Sequence, residues 1–123
     1  MEFKENNKPI YLQLVDKLCD DVLSGVYGDD ARIPSVRETA AQVEVNANTV
    51  MRAYDYLQQN GIIYNKRGIG YFLTAGASEC IKKERMERFM NAELSDFFSQ
   101  IKLLGITPEQ LLDMYTRYYN QKN

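Results

Sequence analysis

The stretch SVRETAAQVEVNANTVMRAYDYL, residues 35–57, decides the fold. It opens with Ser35 and, three residues later, Glu38, which is the pattern of a capping box. In this motif the serine hydroxyl accepts a hydrogen bond from the Glu38 amide, and the glutamate accepts one from the Ser35 amide. A short helix is therefore predicted from Ser35 to about Val43.

A tight turn at Glu44 and Val45 separates this helix from the next one, which Asn46 or Asn48 can cap. Gly61 is placed to end the second helix, in the position that favours a left-handed backbone. Its buried stripe is predicted to be Val50, Ala53, Tyr54 and Leu57. Two helices joined by so short a turn are typical of a helix-turn-helix, which lays its second helix in the major groove of duplex DNA.

The flanking segments predict one more helix and a hairpin. Residues 10–23 repeat apolar side chains with a 3.6-residue period directly after Pro9, which indicates an amphipathic helix. Residues 62–66 and 71–74 are short strand candidates, and the turn between them contains Gly68 and Gly70. The fold class is thus expected to be mainly α with a small β-hairpin, in the order of a winged helix-turn-helix.

The remaining residues predict a two-helix tail after a brief linker at residues 76–78. One helix is expected from Glu79 to about Leu104, and a second begins at Thr107, where Thr107-Pro108-Glu109-Gln110 is another capping box with proline at the first helical position. The sequence therefore predicts a DNA-binding domain over residues 1–76 and a helical dimerisation tail over residues 77–123.

The tail is expected to dimerise because its two helices carry broad apolar stripes with nothing large to bury them against. The interface residues predicted on this basis are Phe89, Leu94, Phe97, Phe98, Ile101, Leu111, Tyr115 and Tyr119. The same aromatic side chains could instead line a pocket for a small-molecule effector, which no motif indicates.

The distribution of charge along the chain limits the classes of function that the protein can have. The chain of 123 residues has a net charge of −2, but residues 1–30 hold 3 basic and 7 acidic residues (−4), whereas residues 32–71 hold 5 basic and 3 acidic residues (+2). The weakly basic part coincides with the proposed DNA-binding segments, which implies modest non-specific affinity. A protein–protein role for the winged helix is the main alternative.

Enzymatic and metal chemistry are not expected. The chain has no histidine, and its two cysteines are too few for a zinc site. No cofactor is predicted. No apolar stretch approaches the roughly 18 residues of a membrane span, and the polar N-terminus does not resemble a signal peptide. We therefore expect no membrane partner and a cytoplasmic protein with reduced cysteines, Cys19 being a buried thiol.

Polar residues at the start of the third helix are suited to reading bases. Asn46 and Asn48 can pair with adenine, and Thr49 can contact a thymine methyl group. Arg52, one turn further on, can reach a phosphate or a guanine edge. Alternatively, the asparagines serve only as caps and Arg52 is a solvated surface residue.

Basic residues elsewhere in the domain are suited to the DNA backbone. Arg37 lies at the positively polarised start of the second helix, and Lys66 and Arg67 of the wing can follow a phosphate strand or enter the minor groove. The alternatives are an intrahelical ion pair for Arg37 and ordinary hairpin charges for Lys66 and Arg67.

Five blocks, at residues 9–14, 33–38, 45–54, 61–63 and 67–72, resemble the GntR family of bacterial transcription regulators. The form Asn-x-Asn-Thr-Val-x-Arg-Ala-Tyr and the short two-helix tail resemble its YtrA subgroup. The resemblance implies DNA contacts at Ser35, Arg37, Asn46, Asn48, Thr49, Arg52, Arg67 and Gly68. It also implies control of the protein's own operon, often one with membrane transport genes.

Two positions depart from the family pattern. Asp29-Asp30 stands where the family usually has Pro-Gly, which predicts a looser loop before the second helix. Glu44 stands where the turn usually has glycine, and if that position needs a positive φ, glutamate stores about 1 kcal/mol of strain.

These observations predict a sequence-specific transcription regulator. A dimer presents two recognition helices, at residues 47–60, and two wings, at residues 66–70, to the halves of an inverted-repeat operator in double-stranded DNA. Because a protein on such a site would block RNA polymerase, we expect a homodimeric repressor.

Overall fold

The computed structural model describes residue 3 and residues 8–121. These residues form two compact units, which divide between Lys83 and Glu84. The predicted division into domains 1–76 and 77–123 stays a prediction.

The first unit contains the elements of a winged helix-turn-helix in the predicted order. Its helices are α1 (Ile10–Leu23), α2 (Val36–Val43) and α3 (Ala47–Gln59), and its strands are β1 (Ile63–Lys66) and β2 (Gly70–Leu73). The strands pair antiparallel, with Ile63 opposite Leu73 and Lys66 opposite Gly70. The fold class, mainly α with a small β-hairpin, is confirmed.

One hydrophobic core holds these elements together. The apolar stripe of α1 packs with Val50, Ala53, Tyr54 and Leu57 of α3 and with the inward-facing residues of the hairpin. The most completely buried large side chains are Ile33, Val50, Leu57, Ile63 and Leu73. Cys19 is buried and its thiol is not part of a disulfide, as predicted, and Tyr54 is buried as well.

The turn between α2 and α3 contains the strained residue that the sequence suggested. Glu44 has φ 57° and ψ 48°, the left-handed conformation that glycine adopts without strain. Its amide still donates to the carbonyl of Ala40 as in a helix, and its left-handed backbone then ends α2. The condition of the prediction, a positive φ at Glu44, is therefore met, and the strain of about 1 kcal/mol stays a prediction.

The expectation of a loose loop at Asp29-Asp30 is wrong, because both carboxylates accept hydrogen bonds. Asp29 Oδ1 accepts from the Gly76 amide at 3.1 Å, and Asp30 Oδ1 accepts from the Tyr64 hydroxyl at 2.9 Å. Asp30 itself takes φ 59°, so it supplies the conformation that glycine would otherwise provide.

The long helix after the linker differs from its predicted bounds. Helix α4 (Ala77–Arg88) begins two residues earlier than expected, because the amide of Cys80 already donates to the Gly76 carbonyl. A π-helical turn, Phe89–Glu93, then separates α4 from α5 (Leu94–Leu103). Ala77 and Ile81 belong to the core of the first unit.

The second unit is helical. Helix α5 ends before Gly105, which has φ 73°, and α6 (Pro108–Gln121) follows. The predicted second capping box is present: Thr107 N donates to Gln110 Oε1 at 2.9 Å, and Gln110 N donates to Thr107 Oγ1 at 3.2 Å. None of the helices in the described part of the chain is long and apolar enough to cross a membrane.

Candidate nucleic-acid interface

The start of α3 leaves one asparagine free to contact another molecule. Asn46 is the N-cap, and its side chain accepts a hydrogen bond from the Asn48 amide at 2.7 Å. The side chain of Asn48 is therefore not needed for capping, and it is exposed. Because residues three and four apart share one helix face, Asn48, Thr49 and Arg52 present a common polar surface.

Arg52 rests on an aromatic ring of α1. Its guanidinium carbon lies 4.1 Å from the centroid of the Tyr11 ring, which makes a cation–π contact. Tyr11 in turn meets Tyr56 edge to face, with centroids 6.3 Å apart. Tyr11 lies in the predicted amphipathic helix at residues 10–23, but periodicity did not indicate its contact with Arg52.

The start of α2 is built by the predicted capping box. Glu38 N donates to Ser35 Oγ at 3.1 Å, and Ser35 N donates to Glu38 Oε1 at 2.9 Å. The hydrogen bond from the Ser35 amide is the largest cause that lowers the pKa of Glu38 below its usual value. Arg37 is exposed next to this cap and forms no ion pair with any residue that the structure describes.

The wing carries its basic residues on the surface. Lys66 Nζ lies 4.8 Å from the centroid of the Phe72 ring, and Arg67 is exposed at the turn. Gly68 has φ 78°, a conformation that a side chain would strain. All nine residues predicted to contact DNA thus belong to the first unit, on α2 and α3 with their caps and on the wing.

Helices α5 and α6 carry a second surface, which is apolar. Neither helix has a buried residue within the described part of the chain, although Leu94, Ile101 and Leu111 are partly covered. Tyr115 and Tyr119 are 57% and 67% exposed and stack on each other with centroids 6.3 Å apart. The predicted dimerisation residues Phe89, Phe97 and Phe98 are exposed as well.

The described residues contain no group of three or more histidine, cysteine, aspartate or glutamate side chains that could hold a metal ion. The geometry of the first unit is instead that of a winged helix-turn-helix DNA-binding domain. Its recognition helix has an exposed polar start, and its hairpin carries basic residues.

The family model for the bacterial regulatory proteins of the gntR family matches residues 10–73. The chain belongs to the GntR family, and it is a DNA-binding transcription regulator of that family. The matched segment runs from the first residue of α1 to the last residue of β2, which is the whole winged helix.

Two relatives that match most of the chain are also transcription regulators by name. The chain is 35% identical over 109 residues to YhcF, an uncharacterised HTH-type transcriptional regulator of Bacillus subtilis, covering 89% of this chain and 88% of YhcF. It is 29% identical over 106 residues to the transcriptional repressor YtrA of the same organism, covering 86% of this chain and 81% of YtrA. These relatives are regulators of transcription rather than enzymes.

Solved structures extend the comparison to both units. A GntR-family structure from Bacteroides thetaiotaomicron is 48% identical, with a TM-score of 0.73, and covers 94% of this chain and all of its own. The DNA-binding domain of AraR, solved in complex with operator DNA, is 26% identical, with a TM-score of 0.54, and covers 60% of this chain and 89% of its own.

Proposed function

We propose that the protein is a homodimeric repressor that binds an inverted-repeat operator through α3 and the wing. The observation that carries this proposal is that the two asparagines at the start of α3 differ in their roles. Asn46 caps the helix, whereas Asn48 stays exposed. A rigid helix with free polar side chains at its leading end is what direct readout in the major groove requires.

Each proposed contact has a role that fits its position. Asn48, Thr49 and Arg52 face the base edges, with Asn46 fixing the backbone from which they project. Ser35 and Arg37 lie at the start of α2, where backbone amides and positive charge favour a phosphate. Lys66, Arg67 and Gly68 place the wing against the adjacent backbone or minor groove.

The apolar surface of α5 and α6 supports the dimer. Burial of one large apolar side chain contributes about 1.5–3 kcal/mol, so a few of the exposed aromatic residues are sufficient for stable association. A symmetric pair covers identical surfaces on both chains at once. We place the proposed dimer in the bacterial cytoplasm, where the chromosome is.

The proposal is tested by selecting duplexes from a randomised pool with the full-length protein and sequencing the bound fraction. We expect two half-sites related by a two-fold axis, with centres about one helical turn or a multiple of it apart. A single unrepeated half-site contradicts the dimer, and the absence of any enriched sequence contradicts specific recognition. Transcription in vitro from a promoter overlapping the selected site should fall when the protein is added.

A further inference from the structure

Residues 30–33, in the loop before α2, are hydrogen-bonded to β2 beside the two-stranded wing. The Asp30 amide donates to the Leu73 carbonyl at 2.9 Å, and the Leu73 amide donates to the Ala31 carbonyl at 2.8 Å. The Ile33 amide then donates to the Tyr71 carbonyl at 3.0 Å, and Arg32 pairs with Phe72 as an antiparallel bridge. The backbone of Arg32 is thus fixed to β2.

The side chain of Arg32 lies across Gly70. A Cβ atom at Gly70 would stand 3.1 Å from Arg32 Nε, closer than most real contacts, so the absence of a side chain there makes room for the guanidinium. Phe72 lies opposite Arg32 in the bridge, so the two side chains share a face of the sheet. Lys66 Nζ lies over the ring of Phe72 on that same face. We call this surface, formed by Arg32, Lys66, Gly70 and Phe72, the outer wing face.

The outer wing face carries positive charge that no described side chain neutralises through an ion pair. Arg32 and Lys66 are both exposed, and neither forms a salt bridge within the described part of the chain. Two acidic residues are close, Asp30, which accepts from the Tyr64 hydroxyl, and Glu38, which accepts from the Ser35 amide. These donors are neutral, so both carboxylates keep their charge, but neither lies within ion-pair distance of Arg32 or Lys66 in the described part of the chain.

Arg32 also lies close to the start of α2. Its positive charge is the smallest of the causes that lower the pKa of Glu38, the residue that completes the α2 cap. Three residues, Pro34, Ser35 and Val36, separate Ile33 from Arg37. The chain thus brings Arg32 to the junction between the wing and the helix whose start is proposed to meet the DNA backbone.

We propose that the outer wing face binds the phosphate backbone of the operator, and that Arg32 is a DNA-binding residue in addition to the nine already named. A phosphate strand fits this face, because Arg32 and Lys66 are cations without an ion pair in the described part of the chain. The guanidinium of Arg32 also lies against Gly70, which fixes its position. Arginine in a fixed position suits phosphate oxygens, which it can bind with two parallel hydrogen bonds. The inference rests on the proposed docking of α3 and the wing on one duplex.

The test compares Arg32→Gln with the wild-type protein on a duplex selected from the randomised pool and on an unselected duplex, at several salt concentrations. Loss of one phosphate contact reduces the slope of log K against log salt by about 0.9. We expect affinity for both duplexes to fall by the same factor, about tenfold at low salt. Arg32→Lys should keep the slope, and Lys102→Gln, which removes a charge from α5, should leave both slope and affinity unchanged.

A wild-type slope for Arg32→Gln, with selective binding intact, overturns this inference and leaves the proposed function standing. Loss of discrimination between the duplexes without a change of slope also overturns it, because that result assigns Arg32 to base readout. If the wild-type protein itself shows no salt-dependent binding to any duplex, both proposals fall. Arg32→Met keeps the aliphatic stem over Gly70, so it provides the same test if Arg32→Gln does not fold.

Discussion

At the scale of single residues, the structure fixes the position of the Arg52 side chain and the backbone conformation of Glu44. The guanidinium carbon of Arg52 lies 4.1 Å from the centroid of the Tyr11 ring. This contact holds the guanidinium group beside the polar start of α3. Glu44 accepts a left-handed backbone that the turn imposes on it. Each residue gives a prediction that a single substitution tests.

Replacing Arg52 with alanine is expected to weaken binding to the selected operator by about 5- to 150-fold. The reason is that a side chain reading a base edge contributes about 1–3 kcal/mol of discrimination. The measurement is a binding titration with the selected duplex at constant salt. Arg117→Ala on α6 is the control and should bind as the wild type does. Equal affinity of Arg52→Ala and the wild-type protein would show that Arg52 does not contact a base edge.

Replacing Glu44 with glycine is expected to raise the free energy of unfolding by about 1 kcal/mol, because glycine adopts positive φ without steric strain. Glu44→Ala is the matched control, since alanine keeps the Cβ atom that causes the strain, and it should bring no such gain. Chemical denaturation of both variants measures the difference. A gain of equal size in both variants would show that the effect comes from the lost charge.

At the scale of secondary-structure elements, one hydroxyl group ties α3 to the start of α2. Tyr54 Oη donates to the Pro34 carbonyl at 2.6 Å and lies 2.8 Å from Thr39 Oγ1. The Tyr54 ring also meets Tyr71 of the wing edge to face, with centroids 5.1 Å apart. One side chain of the recognition helix therefore fixes both its partner helix and the hairpin.

Burial is the main cause that raises the pKa of Tyr54 above its ordinary value near 10. A raised pKa means that folding favours the neutral phenol. The resulting stabilisation is complete below pH 10 and is lost as the pH rises through the folded-state pKa. We expect stability to decline above about pH 10, and Tyr54→Phe to reduce that decline while costing about 1 kcal/mol at neutral pH.

Thermal unfolding from pH 7 to pH 11 measures this effect. Tyr118→Phe, on the exposed surface of α6, is the control and should follow the wild-type curve. Tyr64 adds to the alkaline decline, because its hydrogen bond to Asp30 raises its pKa too, so Tyr54→Phe should lessen the decline without abolishing it. Identical alkaline curves for Tyr54→Phe and wild type would contradict the assignment.

At the scale of the whole molecule, the two units differ in how they bury apolar surface. The first has a closed core of 15 buried residues, whereas α5 and α6 have none in the part of the chain that the structure describes. Their exposed apolar side chains are the reason for proposing a second copy of the chain as partner.

Phe97→Glu on α5 is expected to convert the proposed dimer to a monomer, because a buried unpaired carboxylate would oppose association. Sedimentation measures the mass, and a titration with the selected duplex should show much weaker binding, since one half-site replaces two. Ser99→Glu introduces the same charge two residues away, on a different face of α5, and should stay dimeric. A Phe97→Glu protein with dimeric mass would place the interface elsewhere.

Much of this protein could be predicted from its sequence, because the deciding information is local. The capping boxes at Ser35 and Thr107, the period of α1 and the glycines of the wing act over a few residues, and each appears in the structure as predicted. Only the tertiary structure revealed the bridge between Arg32 and Phe72, the π turn and the cation–π contact of Arg52 with Tyr11. Those features depend on partners distant in the chain or on the packing of whole helices, and no short-range pattern encodes such contacts.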